Sequence, residues 1–586
     1  MKHFKLNLRG SSKGICNTYI LIFTLLALLI PNLALCVTEP YSATTMLASL
    51  LIPGGFYLLW MIFLRRPGWA LLGLFPFMFL GAFQLVIMYL FNGSIIATDM
   101  FTNLFTTSVS EAGELLGNIS PAIIFVCVIY LPLITLGILF SIRKIRFSCT
   151  QLRGCALVGS LSMILGTVFA GISEYRNPAF ALNEHIFPVN VIYNIRLSLQ
   201  NWQRSNNFLE SSRGFRFHAM REVPQADSTG VPPREIYVFI IGEASRAASW
   251  SLFGYERPTN PRLSAKKGIV PFSDMLTQSN TTHKSVPIIL SPCSAENYDS
   301  IYSRKSMVTL FKETGFHTAF ISNEPPNRSL IDYFADEADT VIDVTPHQLE
   351  KQSIRHYDEE ILPHLRQMIR NTPGNLFIVL HTYGSHFAYT ERYPGSFRKF
   401  LPDQSPVTNP AHRKEVVNSY DNSILYTDYV LSQIIDVLDK SKACAALLYC
   451  ADHGEDLMDD TRERFLHASP TTTYYQLHVA SLGWFSEKYK QLFPTRYHSA
   501  KQNRSSAVTT ANLFHTIGDI AGIRSPYLNP TASLVNPGFR EQPRMYIDDH
   551  NRDIPIIQSG LTELDLQQFR QRHLKYDSAT VRKIRY

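Results

Sequence analysis

Two rhythms of apolar residues divide the 586-residue chain. Up to residue 173 the apolar positions run in long unbroken blocks, at 19–37, 45–64, 69–91, 119–141 and 155–172. A hydrocarbon core of about 30 Å needs about 20 apolar helical residues, because lipid offers the backbone no hydrogen-bond partner. The blocks therefore predict a transmembrane domain of five spans over 1–173. From 174 to 234 the sequence is polar and irregular, with a helical pattern around 191–202, and ends in the Pro/Gly-rich VPQADSTGVPPR. This reads as a linker. From 235 to 586 the rhythm changes again, to short wholly apolar runs separated by helical repeats. Glu235–Gly242, Leu376–His381, 445–451 and 477–485 read as strands buried on both faces. In 419–440, Ile424, Thr427, Leu431, Ile434 and Leu438 recur at helical spacing. Such alternation predicts an α/β domain with a mostly parallel central sheet. No internal repeat interrupts either part.

Charge orients this architecture. Only 18% of residues are charged, against about 25% in an average soluble protein. Of the 55 Lys and Arg and 48 Asp and Glu, ten and four lie in the first 173 residues. The net charge of +7 thus belongs almost wholly to the membrane part, and the near-neutral remainder argues against a nucleic-acid-binding domain. Lys2, Lys5, Arg9 and Lys13, then Arg65 and Arg66, then Arg143, Lys144 and Arg146 all fall on one side of the five spans. Short loops rich in Lys and Arg stay cytoplasmic, so the N-terminus is inside and everything after Ser173 is outside. No A-x-A-like cleavage site precedes Glu39 and four more spans follow, so the first span reads as an anchor rather than a signal peptide.

Of eight cysteines, Cys16, Cys36, Cys127, Cys149 and Cys155 lie in or beside the membrane blocks. Cys444 and Cys450 share one strand, which would hold them about 20 Å apart. No disulfide framework follows, and these read as buried thiols.

Ligands of open α/β sheets sit beyond the carboxyl ends of strands. The runs here are followed by Gly242-Glu243-Ala244-Ser245-Arg246, by His381-Thr-Tyr-Gly-Ser-His386 and by Asp452-His453-Gly454-Glu455. A single Asp-His pair after a strand is usually structural, but three strand ends delivering carboxylates and imidazoles predict a metal site. The loop Ser279-Asn-Thr-Thr-His-Lys-Ser-Val-Pro287 adds two adjacent threonines. A threonine hydroxyl is a weak nucleophile until a cation lowers its pKa. Glu, Asp, His and a hydroxyl together suit zinc or manganese.

At these residues the chain resembles the phosphoethanolamine transferases of the alkaline phosphatase and sulfatase superfamily, the group that includes the lipid A-modifying enzymes. The combination GEASR, GYERPTNP, TTHKSVP, LHTYGSH, NSYDNSILYTDYVL, ADHGE and FLHASP carries the resemblance. It implies that Glu243, Thr282, Asp452 and His453 hold a catalytic zinc, with Mn2+ as the other candidate. Thr282, three residues before Ser285 of the SVP motif, is the residue implied to be phosphorylated. His386 and His467 match histidines that bind phosphate or a second metal in relatives, and Arg328 matches a basic substrate-binding residue. Asn103, Thr107 and Glu111, spaced by four after the third span, match a segment lying near the lipid head group. Where lipid A enzymes often carry Cys-Gly-Thr before the nucleophile, this chain has Ser279-Asn-Thr, which leaves the subgroup and its acceptor open.

The resemblance implies transfer of phosphoethanolamine from phosphatidylethanolamine, through phospho-threonine, to lipid A, core sugar or another glycan. It implies a monomer in the inner membrane with a periplasmic catalytic domain. The nearest rival is a phosphoglycerol transferase of the lipoteichoic-acid-synthase type, which differs in donor. The rival from another class is an inactive membrane sensor or scaffold, disfavoured because no ligand of the set is missing. A transporter is disfavoured because the spans carry no intramembrane charge.

Overall fold

The computed structural model describes residues 8–106, 119–177, 180–224, 232–345, 356–404 and 409–576. The chain divides into two compact units, one of Met1–Thr98, Leu116–Leu197 and Lys583–Tyr586, the other of Asp99–Leu115 and Ser198–Arg582.

In the first unit, helices α1 (Leu8–Thr38), α2 (Ala43–Phe63), α6 (Ser120–Ile142) and α7 (Cys149–Arg176) are long and apolar enough to cross a membrane. The third apolar block, expected as one span, is instead a pair of helices, α3 (Pro67–Gly73) and α4 (Phe75–Phe91), bent by 47°. Pro76 explains the break: it has no N–H to continue the α3 ladder, and its ring obstructs the preceding turn. Helices α2 and α7 pack backbone to backbone. A Cβ on Gly55 would stand 2.8 Å from the carbonyl oxygen of Gly159, so small residues set this approach, as is usual between helices in lipid.

The stretch read as a linker contains more regular structure than its polar composition suggests. Helix α7 continues to Arg176, and α8 spans Val189–Asn206. Earlier in the chain, α5 (Thr98–Thr106) precedes α6 and begins the segment that belongs to the second unit from Asp99 onward.

The second unit is built on a seven-stranded sheet in the order β2-β7-β6-β1-β5-β3-β4. Its strands are β1 (Glu235–Gly242), β2 (Ile269–Pro271), β3 (His317–Ser322), β4 (Thr340–Asp343), β5 (Leu376–His381), β6 (Cys444–Ala451) and β7 (Ser481–Phe485). The pairs from β6 through β4 are parallel, while β7 is antiparallel to both β6 and β2. Every residue of β1, β5 and β6 is buried, which is why these three read as unbroken apolar runs. The run at 477–485 differs from the expectation of one strand. Tyr474–Leu477 is helical, and the strand starts only at Ser481. Strands β3 and β4 escaped the pattern because one begins in a polar His-Thr pair and the other is half exposed. Helix α10 (Arg413–Lys440) carries the predicted apolar stripe and begins six residues earlier than that stripe indicates. Cys293, Cys444 and Cys450 are buried free thiols.

Candidate active site

Parallel pairing brings the carboxyl ends of two neighbouring strands level: Gly242 of β1 lies opposite Ala451 of β6. The next residues are therefore delivered side by side, Glu243 from one strand and Asp452 and His453 from the other. All three are buried. Helix α9 (Thr282–Leu290) supplies the fourth group as its first residue. The helix is tied to β6 by Ser285, whose hydroxyl donates to the Asp452 carbonyl oxygen at 2.6 Å.

Thr282 Oγ1 stands 3.3 Å from Glu243 Oε2 and 3.2 Å from His453 Nε2. Thr281 turns the other way, its hydroxyl 3.1 Å from that of Ser279. The two threonines are thus distinguished by a helix start, not by the alternation of an extended loop. That helix was not legible because Pro287 lies inside it, where proline ordinarily argues against a helix. Thr282 also occupies the N-terminal end of α9, where free N–H groups favour negative charge.

His453 Nδ1 lies 2.9 Å from the Gly454 carbonyl oxygen. This requires the ring proton on Nδ1, leaving the lone pair of Nε2 aimed 3.5 Å from Glu243 Oε1 and 3.3 Å from Asp452 Oδ2. Neither of those oxygens has a hydrogen-bond partner among the described residues. Three lone-pair donors facing one another in a buried site repel unless a cation sits between them. Burial, then the facing Asp452, pushes the Glu243 carboxyl well above its ordinary pKa. The donor set of Glu243, Asp452, His453 and the Thr282 hydroxyl fits a divalent cation on this ground.

Backbone strain collects at the same place. Ala244, directly after Glu243, takes φ of 52°, and Leu466 and Ala468 on either side of His467 both take 64°. Left-handed φ at non-glycine residues is retained where the surroundings over-determine it, typically at functional sites. Ala244 N–H donates to Asp452 Oδ1 at 3.1 Å. Gly384 braces Glu243 from the other side. Its φ is 51°, and a Cβ there would come within 2.7 Å of the Glu243 carbonyl oxygen, so only glycine fits. Asp358 holds this turn by accepting from Tyr383 N–H and Gly384 N–H at 2.8 and 3.0 Å.

His467 stacks near His453 with ring centroids 4.0 Å apart, and His386 lies 6.5 Å from His467. Burial holds both as neutral imidazoles, His386 at about 3, helped by Arg392 and His467, and His467 at about 4. Glu455 Oε2 is 3.2 Å from His467 Nδ1, and His453, Glu455 and His467 form a second group able to hold a metal. Burial raises the Glu455 carboxyl to about 8. Arg328 is exposed in the turn after β3. Asn103 lies in α5, but its side chain, like Thr107 and Glu111, is outside the described residues.

Three groups at the site were missed by the sequence reading. Glu455 was visible as the last letter of ADHGE, with nothing to assign it a partner. Asn280, the residue of the Ser-Asn-Thr departure, donates from Nδ2 to the Ser469 carbonyl and to Gln476 Oε1, both at 2.8 Å, and its Oδ1 accepts from the Tyr546 hydroxyl. Asp99 grips the two residues after the nucleophile: His283 Nε2 at 3.1 Å from Oδ1 and Lys284 Nζ at 2.9 Å from Oδ2. Burial opposes ionisation of Asp99, but Lys284 and His283 outweigh it and hold the carboxyl at about 2.

Residues 235–523 match the family model named Sulfatase. The matched residues hold the seven-stranded sheet together with Glu243, Thr282, Asp452 and His453. The chain is similar to phosphoethanolamine transferase EptC of Escherichia coli K12, 29% identical over 330 residues, which are 54% of this chain and 56% of that protein. The chain thus spans little more than half the length of the curated relatives it matches. The sulfatase-like domain also resembles the solved C-terminal periplasmic domain of E. coli EptC in complex with Zn, at 26% identity and a TM-score of 0.51, covering 57% of this chain and 96% of that one. Over 77% of this chain and 85% of the other, the fold is similar to the integral membrane lipooligosaccharide phosphoethanolamine transferase A of Neisseria meningitidis, at 21% identity and a TM-score of 0.64. The resemblance to phosphoethanolamine transferases therefore extends from motifs to fold.

Proposed function

We propose that this chain is a membrane-anchored phosphoethanolamine transferase in which Thr282 is the nucleophile. The observation that carries the reading is Thr282 Oγ1 at the start of α9, within 3.3 Å of both Glu243 and His453, beside two carboxylate oxygens that lack hydrogen-bond partners among the described residues. Glu243, Asp452, His453 and Thr282 would hold zinc, which when bound lowers the pKa of the threonine hydroxyl and offsets phosphoryl charge. The zinc complex of the EptC domain supports the choice of metal.

In the first step Thr282 Oγ1 forms a bond to the phosphorus of phosphatidylethanolamine, and the P–O bond to diacylglycerol breaks. In the second, an acceptor oxygen takes the phosphoethanolamine from Thr282. The N–H groups at the start of α9 face the charge that builds on phosphorus oxygens. His386 and His467, neutral through burial, can hydrogen-bond those oxygens, and Glu455 fixes the ring of His467. Asp99 holds the nucleophile turn through His283 and Lys284. The acceptor is a lipid A or envelope glycan, and the site lies on the periplasmic face of the inner membrane, as the one-sided basic clusters imply.

Incubating the reconstituted full chain with head-group-labelled phosphatidylethanolamine and no acceptor tests this. Label should accumulate on Thr282, because a covalent intermediate persists when its second step is starved. Label on Thr281, label from phosphatidylglycerol instead, or transfer to acceptor with no labelled enzyme would overturn the reading.

A further inference from the structure

Helix α8 (Val189–Asn206) is amphipathic in the wrong sense for the surface of a water-soluble body. Its buried side is polar: Asn190, Asn194, Ser198 and Asn201 are all under 9% exposed. The side-chain amides of Asn190 and Asn194 both donate to the carbonyl oxygen of Ile96, at 3.0 and 2.8 Å. Its outer side is apolar: Ile192 is 73% exposed, Ile195 39%, Leu199 45% and Trp202 48%. Spacings of three, four and three place these four on one stripe.

We propose that this stripe of α8 lies in the plane of a lipid bilayer surface, buried at the boundary between head groups and acyl chains. Four observations choose lipid as the occupant. The chain reaches α8 only 12 residues after α7 ends at Arg176. The outward side chains of the spans, such as Ile124 at 65% and Ile164 at 62%, have the same character. The helix is too polar and, at 18 residues, too short in apolar sequence to cross, so it lies flat. Arg196 and Arg204 are its only charged residues and both are exposed; Arg204 is paired with Asp299, whose Oδ1 stands 2.7 Å from its Nη1. Arg196, with no acidic residue on the helix, suits a lipid phosphate, and tryptophan is the residue favoured at that depth.

The test uses the unaltered full chain in vesicles of phosphatidylethanolamine and phosphatidylglycerol, doped with a lipid bearing a photoactivated diazirine near the top of its acyl chain. Peptide mapping after illumination should find lipid adducts on Ile192, Ile195, Leu199 and Trp202. Their yield should be at least roughly tenfold that at Leu401, which is 59% exposed in the sulfatase-like domain, since only the stripe would sit at the reactive depth. The same preparation should label the spans, which controls for reconstitution. Labelled spans with an unlabelled 189–206 peptide would overturn the proposal. So would protection of the stripe by crosslinking to a second copy of the chain.

Discussion

The two ends of strand β1 each carry a buried glutamate, and the two have opposite surroundings. Glu235, at the amino end, is 1% exposed. It meets Arg221 Nη2 at 2.5 Å and accepts from the Tyr237 hydroxyl at 2.8 Å. Glu243, one residue past the carboxyl end, is equally buried, but its neighbours are Asp452, Glu324 and Glu455. Burial raises the pKa of both, and only at Glu235 does an adjacent cation pull against it. A buried carboxylate with its own cation is a structural element. One that faces other acids needs a cation from outside, and that requirement is what makes the carboxyl end of the sheet a site.

The largest expected effect tests whether that end does chemistry. Thr282→Ala should lower transfer by about three orders of magnitude or more while Thr281→Ala stays active. Comparable activity in both single variants would remove the distinction between the threonines.

Next, the two glutamate environments can be set against each other. Arg221→Ala leaves Glu235 buried without its cation and should destabilise the protein by about 3–5 kcal/mol, with transfer per folded molecule unchanged. Glu243→Gln should abolish transfer and zinc binding, yet leave the metal-free protein at least as stable, because it removes one of two facing carboxylates. Thermal unfolding of the two variants after chelation decides this. If Glu243→Gln lowers Tm as much as Arg221→Ala, the carboxyl end is an ordinary structural cluster.

Asp99 is a third kind of buried carboxylate, satisfied by the Lys284 ammonium and the His283 ring, which follow the nucleophile. Asp99→Asn should reduce kcat by about 10- to 100-fold, the scale of a small misplacement of a reacting group, with zinc content retained. Lost zinc together with lost Tm would mean that Asp99 supports the fold and not the nucleophile turn.

The smallest effect concerns a buried base with no charged partner. His478 Nδ1 is 2.9 Å from the Tyr474 hydroxyl and Nε2 is 3.0 Å from the Ser273 carbonyl oxygen, and burial lowers its pKa to about 4. Because the unfolded chain binds this proton more readily, the contribution of His478 is complete above the ordinary histidine pKa of about 6.5 and is lost as pH falls towards about 4. Between about pH 7.5 and about pH 5.5 this amounts to about 1.4 kcal/mol. The full chain should lose more Tm over that interval than its His478→Gln variant; equal losses would show that His478 is not held neutral.

Much of the site was legible because its residues follow unmistakable strands. Glu243 and the Asp452-His453 pair come directly after fully buried runs, and strand ends in a parallel sheet converge without knowledge of the loops. Thr282 was legible as one of two candidates. The choice between them rested on a family motif, while the physical separation comes from the start of α9, concealed by Pro287. Asp99 was visible only as the first residue of the segment that resembles the family's head-group region, with nothing to assign it a partner. Its partners lie 184 and 185 positions further along the chain, and no periodicity relates the two segments. Hydrophobicity predicts one straight third span because it is blind to the backbone consequence of Pro76.

By itself, the sequence determined the number of apolar blocks, the strands buried on both faces and the kinds of group placed at their ends. Those follow from local rules: a period of two or 3.6 and the length needed to cross lipid are set by neighbouring residues. Only tertiary structure decided which glutamate of β1 has a cation and which lacks one, which threonine faces the carboxylates, and which nitrogen of His453 keeps its lone pair. It also decided that α8 turns its asparagines inward and its isoleucines outward. The composition of that helix permits either orientation, and the carbonyl of Ile96, supplied from a distant turn, selects one. A partner's identity is a property of packing, and packing joins residues that the chain itself keeps far apart.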